Sequence, residues 1–115
     1  MATPPRAAVV LVRRFGDGYS GLVASVRIGV IGDFNAGNPT HLATNLALEH
    51  AAAHLELDAA VDWLPTDSLA GPEADSRLEP YDGLFASPGS PYASLEGALA
   101  GIRFARERGR PFAGT

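Results

Sequence analysis

The chain has no cysteine, and among its nine basic residues it has no lysine, only arginine. Without thiols there is no disulfide framework, no thiolate metal site and no cysteine nucleophile within the 115 residues. Thirteen acidic residues leave a net charge of −4 and a pI near 5.2. With no broad cationic field, counterion release has little to act on, and nucleic acid is not an expected partner. Long apolar runs are also missing. The stretch Ala7 to Val12 is cut by Arg13 and Arg14, well short of the roughly 20 residues that cross a bilayer. No membrane partner is expected, and a cytoplasmic location is.

What remains is an ordinary globular composition, 46% hydrophobic and 19% charged. It suffices for one domain at most, burying roughly 65% of the surface its unfolded chain exposes. Residues 1–25 hold Pro4-Pro5, an apolar hexamer and a turn-rich stretch from Phe15 to Gly21, with no sustained period. They are expected to form an N-terminal extension, with the native start near Val26, since a valine codon can initiate in bacteria.

From Val26 a β-rich run reaches Ile31 and ends at Gly32-Asp33. Asn38-Pro39-Thr40 then offers a helix start, and Leu46, His50, Ala53 and Leu57 share one helical face. Ala59 to Leu64 reads as a second strand stopped by Pro65, and a polar loop runs on to Pro80. Asp82 to Ala86 is a third strand, leading into the turn Ser87-Pro88-Gly89-Ser90-Pro91. Ser94 caps a second helix with apolar positions Leu95, Ala98, Leu99, Ile102 and Ala105; Gly109 ends it, and Pro111 opens a buried strand. Its four arginines near the C-terminus, Arg103, Arg106, Arg108 and Arg110, read as a solvated helix end. The order strand, helix, strand, strand, helix, strand implies an α/β fold with a parallel sheet and helices on both faces.

His50 and His54 have the spacing that lets two imidazoles share a metal, but with no HExxH pattern solvated helical histidines are the better reading, and no metal is expected. Gly29 and Gly32 lack the third glycine of a dinucleotide loop, so no cofactor is expected either. Trp63 and Phe85, on strands, read as core.

One set of segments is more specific: Asp82 to Ser90, then Leu95-Glu96-Gly97, then Ile102-Arg103-Phe104-Ala105-Arg106-Glu107, then Pro111-Phe112-Ala113-Gly114-Thr115. In order and spacing they resemble the glutaminase region of the CTP synthase family, where D-G-I-L-V-P-G-G is followed by E-G, by R-F-A-R-E and by P-[YF]-L-G-[IT]-C. Arg27 to Phe34, Thr40 to Asn45 and Trp63 to Thr66 are similar to a stand-alone bacterial group related to the C-terminal region of CTP synthase. The resemblance covers about residues 26–115 and implies the N-terminal half of a flavodoxin-like, class I glutamine amidotransferase-like domain.

It further implies that the nucleophile follows directly after Thr115, so that no catalytic residue lies within this chain. The complete protein would hydrolyse glutamine with a cysteine, an activating histidine and a supporting glutamate. Related stand-alone proteins include forms with selenocysteine at the nucleophile, which UGA encodes. The turn after the third strand would supply oxyanion-hole N–H groups, narrowed to Gly89 and Ser90 because Pro91 has none. Serine there replaces the family's second glycine, costing about 1 kcal/mol or more if the site needs a positive φ. The ammonia acceptor and oligomeric state stay open, and with no synthetase segment in these residues CTP synthesis does not follow. A self-contained flavodoxin-like module, binding a small molecule or anion without catalysis, is the alternative reading.

Overall fold

The computed structural model describes residues 9–14, 20–88 and 92–114. β1 (Val9–Arg14) pairs antiparallel with the first half of β2 (Ser20–Ile31), Arg14 facing Ser20 and Val9 facing Ser25. β2 therefore starts well before the expected Val26. Its early residues are extended because a partner strand takes up their backbone groups, which no local periodicity could reveal.

The rest of the sheet is parallel. β3 (Leu57–Leu64) lies on one side of β2, β4 (Gly83–Ala86) on the other, and β5 (Phe112–Gly114) beyond β4. The parallel order is thus β3-β2-β4-β5, with β2, the first of these four in the chain, in the interior. Ala24 and Ser25 pair with β1 and β3 at once, so β1 occupies the edge of β2 that β4 takes further along.

α1 (Pro39–His54) begins where proline at the first helical position and the Asn38 side chain, accepting from the Thr40 N–H at 2.9 Å, satisfy the helix start. It crosses from β2 to β3 on one face, and Trp63 Nε1–H donates to Asn45 Oδ1 at 2.7 Å across that contact. The helix does not bury the face its periodicity suggested. His41 and Thr44 are its buried residues, while Leu46 is 65% exposed and His50 and Ala53 are open. Leu57 belongs to β3 instead.

The segment read as a polar loop carries a 3-10 turn (Thr66–Leu69) and α2 (Ala74–Leu78). With α3 (Leu95–Arg108) these cover the opposite face of the sheet. Ile31, Leu69, Leu78, Tyr81, Leu84, Ala98, Phe104 and Ala105 form the core there. Each large side chain so buried contributes about 1.5–3 kcal/mol. α3 starts at Ser94, whose Oγ accepts from the Gly97 N–H at 3.0 Å, and stops at Gly109 with φ 66°, which glycine adopts without strain.

The C-terminal arginines do more than solvate the helix end. Arg110, its side chain only 8% exposed, donates to the carbonyls of Glu79 and Tyr81 and pairs with the Glu79 carboxylate at 3.0 Å. Arg108 reaches Glu79 and Asp75, and both guanidinium groups lie over the Phe104 ring. β5, expected to be buried, is exposed along its length, because its outer edge meets no other described strand. Trp63 and Phe85, expected in the core, are half-buried.

Candidate functional site

In an open α/β sheet the crevice for a ligand lies outside the carboxyl ends of the strands, where the strand order reverses. Here that point lies between β2 and β4. The ladder runs one residue past each strand: Gly32 N–H donates to Leu64 O and Ser87 N–H to Ile31 O, both at 3.0 Å. Asp33, Thr66 and Ser87 are thereby delivered to one end of the sheet by three neighbouring strands.

Asp33 organises this end. Its Oδ1 accepts from Thr66 N–H at 2.9 Å, and its Oδ2 accepts from Thr66 Oγ1 at 2.8 Å and Ala93 N–H at 2.9 Å. The fully buried Thr66 hydroxyl, donating to Asp33, accepts in turn from Ser94 N–H at 2.8 Å. Burial by itself would raise the Asp33 pKa, but the hydrogen bonds from Ala93 and Thr66 and the neighbouring His41 outweigh it and hold the carboxyl below the ordinary aspartate value.

Ser87 is 1% exposed, and its Oγ is the one buried side-chain polar atom among the described residues with no hydrogen-bond partner. Its carbonyl accepts from Tyr92 OH at 2.8 Å. Beside it, Phe34, His41 and Trp63 form an aromatic patch, with the His41 ring 4.8 Å from Trp63 and 6.1 Å from Phe34. His41 Nδ1 accepts from Asn35 N–H at 3.0 Å, which leaves Nε2 to carry the proton of the neutral ring.

The two oxyanion candidates, Gly89 and Ser90, lie outside the described residues, as does Thr115. Their described neighbours, Ser87 and Pro88 before and Tyr92 onward, sit at this same end of the sheet. His50 and His54 are exposed towards the far end of α1, and no cluster of three metal-ligating side chains occurs among the described residues. A cleft of about 540 Å³ lies elsewhere, between α1 and β3, lined by Asn45, Glu49, Asp58 and Trp63 among others. The site is assigned to the strand ends rather than to this cleft, because the strand reversal and the polar network converge there. Sequence reading missed Asp33 and Thr66 as a pair. The available signal was a short polar residue directly after each of two strands, the type that ties loops to backbone N–H groups.

No family model matches the chain. It is 29% identical over 110 residues to a CTP synthase of Shouchella clausii, covering 96% of this chain and 21% of that protein. With a CTP synthase of Rubrobacter xylanophilus it shares 33% over 105 residues, covering 90% of this chain and 18% of the other. Among solved structures it is similar to the glutaminase domain of Trypanosoma brucei CTPS with bound acivicin, at a TM-score of 0.69 and 25% identity, over 77% of this chain and 35% of that one. The chain thus spans about a fifth of the length of these curated relatives.

Proposed function

Since the chain belongs with the class I glutamine amidotransferase-like domains related to CTP synthase, we propose that it is the N-terminal part of such a domain and that the complete protein hydrolyses glutamine. The observation that carries this is the parallel pairing of β5 with β4, Ala86 opposite Gly114. A chain continuing in the direction of β5 would carry a nucleophile after Thr115 towards the turn that follows β4, where on this reading it would face backbone N–H groups of Gly89 and Ser90.

In that arrangement a thiolate or selenolate attacks the amide carbon, and the carbonyl oxygen becomes an oxyanion held by backbone N–H groups. A histidine from the remainder of the domain, supported by a glutamate, delivers a proton to the leaving ammonia. Water then cleaves the thioester or selenoester to glutamate. The 115 residues contain no cysteine, so on this reading the chain alone releases no ammonia.

The coding DNA beyond the Thr115 codon provides the test. An in-frame UGA followed by a frame of the G-G-F-Q-H type supports selenocysteine, an ordinary cysteine codon supports the thiol form, and a UAA or UAG stop removes both. The extended chain, made with cysteine at that position, is expected to release ammonia from glutamine while the 115-residue chain does not. An extended chain that folds and leaves glutamine intact would overturn the glutaminase reading.

A further inference from the structure

We propose that Asp33, acting with Thr66, is the positioning residue of this site: it fixes where Ala93 and Ser94 enter α3, and so where the polypeptide that carries Gly89 and Ser90 is anchored at its far end. The near end is already held by the sheet, through Ser87 N–H on Ile31 O. The far end has no strand to hold it. Its two backbone N–H groups go instead to side chains, Ala93 to Asp33 Oδ2 and Ser94 to Thr66 Oγ1. Tyr92 OH, on the Ser87 carbonyl, links the two ends.

The chemistry of the pair makes the anchor directional. Thr66 Oγ1 has one proton, which it gives to Asp33, so it meets Ser94 N–H as an acceptor. Asp33 uses both oxygens as acceptors from three donors. Asparagine could offer only one oxygen, and its NH2 group would confront either the Thr66 or the Ala93 N–H. Asp33 has no donor work to do and every contact suits the ionised form, which fits a group that positions rather than transfers protons.

The anchor stands on these hydrogen bonds; only its consequence for glutamine rests on the function proposed above. The ¹⁵N-labelled 115-residue chain tests both. In Asp33→Asn, amide exchange at Ala93 and Ser94 is expected to accelerate about tenfold or more while Val30 and Leu84 keep their protection. Thr66→Val, isosteric and buried, carries the test should Asp33→Asn not fold, and Thr66→Ser, which keeps the hydroxyl, should restore the wild-type pattern. Unchanged Ala93 and Ser94 exchange in the variants, or protection lost evenly across the sheet, would overturn the anchor. Glutamine titrated into the same samples separates the two ideas. Shifts at Gly89 and Ser90 that weaken in Asp33→Asn support both, and identical shifts in wild type and variant overturn the positioning role. With no glutamine shifts in wild type, accelerated Ala93 and Ser94 exchange in the variants sustains the anchor, and ammonia release by the extended chain decides the glutamine reading.

Discussion

At Gly97, a Cβ would overlap the Thr66 carbonyl, which is backbone and cannot swing aside. At Gly101, one turn on, it would meet Ile31 Cδ1 at 2.5 Å, the end of a side chain that can turn. Gly97→Ala is therefore expected to destabilise by about 3 kcal/mol or more, towards the severe end of overpacking. Gly101→Ala should cost about 1 kcal/mol or less, because alanine's better helix propensity offsets part of the clash. Urea unfolding of the two variants checks this, and equal midpoints would contradict the close approach. At this scale the caps were legible: Asn38, Ser94 and Gly109 are residue types whose chemistry is local. The Gly97 contact was not, since Thr66 lies 31 positions away, and its glycine was noted only as part of an E-G motif. Ser87 likewise reads as a turn residue; that its hydroxyl is buried against Gly32 depends on β2 and β4 lying side by side.

Among the elements, α3 shows what ties a helix to a sheet besides its apolar stripe. Arg110 and Arg108 are two positions apart and both pair with Glu79, yet they differ in exposure, Arg110 at 8% and Arg108 at 45%. Arg110→Ala strips two carbonyls of their donor and is expected to cost about 2–3 kcal/mol. Arg110→Lys should recover only part, since an ammonium cannot fork to the same acceptors. Arg108→Ala, breaking solvent-screened pairs, should cost about 0.5–1 kcal/mol or less. Thermal or urea unfolding of the three variants gives the order, and a larger loss at Arg108 would contradict it. From the sequence these arginines looked alike, because nothing local says which one reaches the carbonyls of Glu79 and Tyr81. For the same reason the 3-10 turn and α2 passed for a loop: four- and five-residue helices have almost no propensity signal, and Leu69 and Leu78 hold them by packing. The α1 periodicity misled in the other direction. Its alanine-rich surface offers two plausible faces, and the sheet took the one with His41 and Thr44.

Across the whole molecule, the parallel sheet was legible because each strand run was bounded by glycine, proline or a cap and helical stretches stood between the first and second runs and between the third and fourth. The antiparallel partner β1 was not, since its turn-rich surroundings carry no helix or strand period. The same sheet ends in an exposed β5, where Phe112 is 42% exposed, and among the described residues no strand pairs with its outer edge. Such an edge recruits other chains. The 115-residue chain is expected to associate as concentration rises, and Phe112→Lys to weaken that association; sedimentation velocity over a concentration series checks it, and a monomer throughout would contradict it. A different consequence follows from Trp63, the single tryptophan, whose indole N–H is held by Asn45 and whose ring lies beside His41. Its fluorescence is a native optical label for one side of the sheet alone. Light emitted there follows the seating of α1, whereas circular dichroism registers all the helices. Coincidence of the two signals during denaturation would mean that both layers melt as one unit, and separation would show which layer lets go first.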